Sequence, residues 1–350
     1  MTPSHNRLEF KEMCKKNILF LSLLLLVISS CGGGGGGSPA VAPQENSITP
    51  APTPAPTPAP TPTPSPSSIT SNLIAQAKGT INGEMSYKEI DREFILYVPS
   101  SYDSSAKQPL IFNFHGYGSN ANEQMNYGDL RSQADANGFI LVHPDALDDL
   151  GGTSYWNMGG WSISIHDDLE FIDNLINLLM DKYSVNAERI YSTGMSNGGF
   201  FSFHLACNLN ASFAAIASVT GSMSYETYES CNPRKPTPIM QIHGSNDIVV
   251  PYSGRGSVMK PIMDVMDYWK INNGCNDYSL NTDDRLYGGN IYTDIYTFEG
   301  CLNGTQNIHL YINGAGHIWP GSVYEAISDP VASEKIWDFF SKYDINGVIQ

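Results

Sequence analysis

Three things are scarce in this chain of 350 residues, and each scarcity excludes something. Basic charge is the first: 19 Lys and Arg stand against 35 Asp and Glu, a formal net charge of −16. A protein that tracks phosphate backbones needs a basic footprint, so nucleic acid is excluded as a partner. The same balance disfavours direct binding to anionic lipid. Long apolar runs are the second: the stretch 18–28 is well short of the about 20 residues that a spanning helix requires. Closely spaced cysteines are the third. None of the six cysteines forms a C-x-x-C pair, so a structural zinc site has no ligand frame, and neither metal nor cofactor is expected.

What the N-terminus does contain is an address. Lys11, Lys15 and Lys16 precede the apolar run, and small residues follow it, the pattern of a secretory signal. The junction Ile28-Ser29-Ser30-Cys31 resembles the bacterial lipobox, in which the cysteine becomes the acylated first residue of the mature protein. Gly32 rather than Asp follows it, so inner-membrane retention is not signalled. The expectation is an exported lipoprotein held by Cys31 at a membrane, the outer membrane being the expected one. Several acyl chains give a firm anchor where one is marginal. Residues 1–31 carry four basic and two acidic residues, so the mature chain has 15 basic against 33 acidic, a net charge of −18.

Residues 32–69 are a glycine run and then an Ala-Pro-Thr-Pro repeat, with nothing to bury against chain entropy. The proline part reads as a semi-rigid polyproline II spacer. Residues 70–350 are left as the folded domain. Of the cysteines there, Cys207, Cys231, Cys275 and Cys301, three pairings are possible. The sequential one, Cys207–Cys231 and Cys275–Cys301, closes two short local excursions and is the expected one in an oxidising compartment.

Short β-rich runs alternate with amphipathic ones through this domain. Strands are predicted over 93–98, 110–114, 139–143, 189–193, 213–219, 239–243 and 308–312, mostly apolar throughout as in strands covered on both faces. Helices are predicted over 122–137, 168–183, 197–208, 258–271 and 332–343. The alternation specifies an α/β fold with a mostly parallel sheet and helices on both faces. In such sheets chemistry belongs just past the carboxyl ends of the strands.

Past the strand at 189–193 stands Gly194-Met195-Ser196-Asn197-Gly198-Gly199, and then a helix. This is G-x-S-x-G in its required strand–turn–helix context, with glycines where the backbone must be approached closely. A serine hydroxyl needs a base, and the base an orienting acid, in the chain order Ser, acid, His. Of the downstream histidines His204, His243, His309 and His317, only His317 follows a strand within a glycine-rich loop. Asp247, in the loop after the strand at 239–243, is the matching acid. Asp264 and Asp267 lie on a helix face, and Asp167 and Asp168 read as a helix N-terminus, where carboxylates favour the dipole. The oxyanion donors are expected to be the backbone N–H groups of Asn197 and Tyr117, the latter within His115-Gly116-Tyr117-Gly118 after the strand at 110–114. His115 itself reads as a structural residue bonded to the backbone.

With these residues placed, the chain resembles the α/β-hydrolase esterases grouped with polyhydroxybutyrate depolymerases and feruloyl esterases. The resemblance rests on the serine motif, on His243-Gly244 followed by Asp247, and on Gly316-His317-Ile318-Trp319-Pro320-Gly321. Asp167-Asp168 and the placing of Cys207 and Cys231 add to it, over about residues 75–345. It implies a serine carboxylic-ester hydrolase. Many members carry Cys after the His-Gly of the oxyanion loop, and Tyr117 stands there instead, which alters the acyl pocket wall. Members that erode solid polyester often add a polymer-binding module; here the linker leads only to Cys31, so soluble esters or oligomers are the expected substrates. Trp156, Trp161 and Trp319 are candidate pocket walls for an aromatic acyl group or a sugar ring. The competing functions are a serine peptidase of the same fold, which usually carries a propeller or lid, and a non-catalytic binding protein. A monomer is the expected state.

Overall fold

The apolar runs pair into one large mixed sheet. In a computed structural model of the protein, the structure describes residues 69–159, 164–283, 292–325, 327 and 331–349. Residues 1–68, with the expected signal segment, Cys31 and linker, and also Trp161, lie outside the described residues. The strands in chain order are β1 (Thr70–Ser71), β2 (Gly79–Tyr87), β3 (Ile90–Val98), β4 (Gln108–Phe114), β5 (Ile140–Pro144) and β6 (Val185–Met195). They continue with β7 (Ala215–Val219), β8 (Ile239–Gly244), β9 (Asp277–Asp283), β10 (Thr293–Glu299) and β11 (Asn307–Ile312). Their spatial order is β1-β2-β3-β5-β4-β6-β7-β8-β11-β10-β9. From β5 to β11 every neighbouring pair is parallel, and antiparallel strands extend both edges.

Successive side chains of the central strands feed two separate cores, as the period of two requires. Leu110, Phe112 and Phe114 belong to one, with Phe171, Leu175, Phe201 and Trp269 from the helices Asp168–Lys182, Asn197–Asn208 and Ile262–Asn272. Ile111 points the other way, into a core with Ala134, Ile336 and Phe339 from the helices Arg131–Asn137 and Ala332–Phe340. The α/β fold with helices on both faces is the observed one. Both expected disulfides are present, Cys207–Cys231 and Cys275–Cys301.

The differences from the sequence reading have local causes. The helix predicted over 122–137 is two helices, Ala121–Tyr127 and Arg131–Asn137. Gly128 ends the first: a Cβ there would lie 3.2 Å from the Trp319 ring, and its carbonyl is held by Asn113 Nδ2 at 2.9 Å. The helix predicted from 258 starts at Ile262, after Pro261, whose φ of −54 and ψ of 145 keep it extended. Strands β1, β2, β9 and β10 add to the predicted set; they lie at or next to the two edges of the sheet, where partial exposure mixes polar with apolar residues.

One polar contact crosses the first core. Arg92 on β3 pairs with Asp168 at 2.8 Å, and both side chains are wholly buried. The guanidinium carbon lies 3.7 Å from the Phe171 ring centroid, and the second Asp168 oxygen accepts from Asn157 N at 2.8 Å. Asp167, not Asp168, caps the helix, accepting from Glu170 N at 3.0 Å. Asp168→Ala would strand a buried cation, so a loss of roughly 3–5 kcal/mol is expected from urea unfolding. A loss below about 1 kcal/mol would show that the pair is not buried as described.

Candidate active site

Strand β6 runs directly into the helix Asn197–Asn208, and Ser196 is the residue between them, at φ 54 and ψ −120. A positive φ at a non-glycine residue costs on the order of 1–3 kcal/mol and persists only where the surroundings impose it. They do so here. Ser196 N donates to Val219 O at 2.8 Å, and Phe200 N donates to Ser196 O at 3.0 Å. A Cβ on Gly194 would lie 2.6 Å from the backbone of Gly198, and one on Gly198 would lie 2.6 Å from the Phe114 carbonyl carbon. Both glycines are therefore required by close backbone approach.

Asp247 and His317 meet from two different loops, 70 residues apart: Asp247 Oδ2 accepts from His317 Nδ1 at 2.7 Å. The loops are laced together by Asn246 N to Ala315 O at 2.8 Å and Gly314 N to Ser245 Oγ at 2.9 Å. The other Asp247 oxygen accepts from Val249 N and Val250 N at 2.9 and 2.8 Å. Its side chain is fully buried while that of His317 keeps 16% exposure, so the acid is shielded and the imidazole is reachable. Burial alone would raise the Asp247 carboxyl, but the bonds from His317, the nearby His243 and the Val250 N–H outweigh it and hold it below its usual range. This carboxylate therefore stabilises the fold above its ordinary pKa, and that contribution is lost as pH falls through the lower folded value. With Nδ1 donating to Asp247, the neutral imidazole of His317 has its lone pair on Nε2.

The other downstream histidines are turned inward. His309 Nδ1 lies 3.1 Å from Gln241 O and its Nε2 accepts from Tyr252 Oη at 2.9 Å. His204 is bonded to Thr227 Oγ1 at 2.9 Å. His243 Nε2 donates to Val250 O at 2.9 Å, which places a second, neutral imidazole 3.5 Å from Asp247 Oδ2. The sequence marks His243 through His243-Gly244, but nothing local to it shows that its ring faces Asp247.

Beside Ser196 runs the loop after β4. A Cβ on Gly116 would sit 3.5 Å from Ser196 Cβ. His115 is fully buried, accepting from Ala146 N at 3.0 Å on Nε2 and donating from Nδ1 to Gly116 O at 2.7 Å. Burial lowers its pKa to about 4, so it is a neutral structural residue. Tyr117 is 37% exposed, and its hydroxyl donates to Asp149 at 3.2 Å. Asn197 is buried at the start of the helix.

The tryptophans are placed differently from expectation. Trp156 and Trp319 are both fully buried, Trp156 against Phe114 and Phe201, and Trp319 with its indole N–H directed at Ser333 Oγ. Neither lines an open wall. A large flat ring fills a core as readily as it lines a pocket, and sequence does not separate the two. Trp161 lies outside the described residues. Among the described residues no group of His, Cys, Asp and Glu is arranged to hold a metal.

The sheet order and the serine at a strand-to-helix turn define an α/β-hydrolase. The model of the phospholipase/carboxylesterase family matches residues 99–272 of the chain, which is a carboxylic-ester hydrolase by class. It is 27% identical over 270 residues to a bifunctional acetylxylan esterase/xylanase of Neocallimastix patriciarum, covering 77% of this chain and 36% of that enzyme. The chain thus spans about a third of that relative. It is 28% identical over 258 residues to feruloyl esterase C of Emericella nidulans, covering 71% of this chain and 83% of that one. Among solved structures, an acetyl xylan esterase from Aspergillus awamori matches with a TM-score of 0.50 at 16% identity, over 71% of this chain and 94% of its own. A thermostable esterase matches at 0.52 and 16%, over 76% and 63%. At such identity the two structures establish the fold alone.

Proposed function

We propose that the protein is an exported, lipid-anchored serine esterase acting on soluble esters or oligomers through Ser196, His317 and Asp247. The observation that carries this is the pair of a buried Asp247 and a reachable His317 at 2.7 Å, together with Ser196 held at φ 54 on the turn. His317 Nε2 takes the Ser196 hydroxyl proton as Oγ bonds to the ester carbonyl carbon. The tetrahedral oxyanion is met by the N–H groups of Tyr117 and Asn197. The proton passes from His317 to the leaving alcohol as its C–O bond breaks, leaving an acyl-Ser196. Water, deprotonated by the same imidazole, then releases the acid and restores the serine.

The relatives named above support carbohydrate-linked acetyl or hydroxycinnamoyl esters as the substrate class. A panel of methyl ferulate, acetylated xylan and hydroxybutyrate oligomers tests it. Turnover of the ferulate or the acetylated xylan is expected to exceed that of the oligomers by at least about tenfold in kcat/KM, roughly 1.4 kcal/mol of transition-state binding. Faster turnover of hydroxybutyrate oligomers would reassign the substrate, and turnover of no ester would end the proposal. In the same reading Cys31 carries the lipid, residues 32–69 space a monomeric domain from the outer membrane, and mass spectrometry of the mature N-terminus checks it. An unmodified terminus elsewhere than Cys31 would contradict the anchor.

Asp247→Asn keeps the shape and removes the charge that orients His317. It is expected to lower kcat by roughly 10⁴-fold with KM little changed, the effect of a wrong imidazole tautomer in such triads. A decrease below about tenfold in steady-state assays would mean that another group orients the base.

A further inference from the structure

Two backbone N–H groups that must converge on one oxygen are carried by elements with no covalent reason to stay in register. Asn197 begins a helix after β6, whereas Tyr117 belongs to the loop after β4. A third segment, residues 154–158, connects them. The Asn197 carboxamide grips it at both backbone groups of one residue: Oδ1 accepts from Trp156 N at 2.8 Å and Nδ2 donates to Trp156 O at 3.2 Å. The Trp156 indole N–H then donates to His115 O at 3.1 Å. On the far side of Tyr117, Gly118 N donates to Ser154 O at 2.9 Å and Ser154 Oγ donates to Ser119 O at 2.6 Å. The segment therefore holds the oxyanion loop before and after Tyr117.

The segment is itself fixed. Asn157 N donates to Asp168 Oδ2 at 2.8 Å, and Met158 O accepts from Thr227 Oγ1 at 2.6 Å. The Trp156 ring is wedged between Phe114 and Phe201 at 5.0 Å from each, 5.2 Å from the His115 ring. Trp156 and Asn197 are both buried, and in such a low-dielectric interior their hydrogen bonds are stronger than in water.

We propose that the Asn197 side chain and the Trp156 indole are positioning residues that set the spacing of the two oxyanion donors. Asn197 then acts twice, its N–H meeting the oxyanion and its carboxamide holding the segment that places the other donor. The proposal rests on the esterase reading of Ser196. Its signature is selective: misplaced donors weaken the transition state, where the oxygen carries charge, more than the ground state.

Trp156→Phe keeps an aromatic ring in the core and removes the indole N–H, and Asn197→Ala keeps the backbone N–H and removes the grip. Each is expected to lower kcat for p-nitrophenyl acetate by roughly 10- to 100-fold with KM changed less than about threefold. The affinity of phenylboronic acid, which adds to the serine as a tetrahedral anion, should fall by the same factor, and that of the product acid should not. The double variant should lose less than the product of the two factors, because both lie on one chain of contacts. A folded Trp156→Phe protein with kcat and boronate affinity within twofold of wild type would overturn the proposal, and this variant alone decides if Asn197→Ala does not fold. Wild-type protein that hydrolyses no ester would instead overturn the esterase reading itself.

Discussion

Ser196→Ala is expected to reduce hydrolysis of p-nitrophenyl acetate or butyrate by roughly 10⁴- to 10⁶-fold while leaving the fold intact. The size follows from the proposed mechanism: alanine removes the Oγ that would bond to the carbonyl carbon, and what remains is binding and the proposed oxyanion donors. The fold is spared because the turn is imposed by Gly194, Gly198 and the Ser196 N to Val219 O bond, none of which uses the hydroxyl. Ser196→Gly separates the two roles further. Glycine tolerates a φ of 54, so this variant should be equally inactive yet more stable by about 1 kcal/mol. Thermal unfolding reads one effect and ester turnover the other. Wild-type turnover by Ser196→Ala would remove the nucleophile from the account.

The second large effect is on stability in acid. Five histidines, four of them fully buried and His204 partly so, are held neutral by desolvation: His115, His204 and His243 have their pKa lowered to about 4, and His143 and His309 to about 3. A histidine whose folded pKa lies below the unfolded value binds its proton only on unfolding. The fold therefore loses stability as pH falls from about 6.5 towards the folded values. At pH 5 each costs about 2 kcal/mol, so five together approach the 5–15 kcal/mol that a domain possesses. Unfolding followed by circular dichroism is expected to set in near pH 5, with uptake of about five protons beyond the carboxylates. His143→Gln removes one of them, on β5, without touching Ser196, Asp247 or His317. Its stability difference between pH 7.5 and pH 5 should shrink by about 2 kcal/mol relative to wild type. An unchanged difference, or full stability at pH 4, would mean that these imidazoles are solvated.

The parallel centre of the sheet was legible because burial on both faces writes apolar runs: 110–114, 189–193 and 239–243 became the cores of β4, β6 and β8. The serine turn was legible because close approach demands glycine at two fixed positions. Partial exposure erased the edges. Glu299, Thr297 and Ile295 of β10 lie on one face, with Phe298 and Tyr296 on the other, and neither periodicity nor composition separates that from a loop. Long-range charge pairing was illegible for another reason. Arg92 and Asp168 are 76 positions apart in sequence, and nothing local to Asp168 distinguishes a buried partner from a solvated helix start. Trp156 shows the same gap: its proximity to the site was readable from sequence, its burial between Phe114 and Phe201 was not.

In the proposed mechanism one serine, Ser196, is made nucleophilic by its surroundings. A fluorophosphonate forms an Oγ–P bond with such a serine and expels fluoride, so it reads activation directly without a choice of substrate. Mass spectrometry of the labelled full-length protein is expected to show one phosphonate per chain, on the peptide containing Ser196, with ester hydrolysis lost in step. Labelling at a different serine, or hydrolysis that persists after Ser196 is fully modified, would contradict the account.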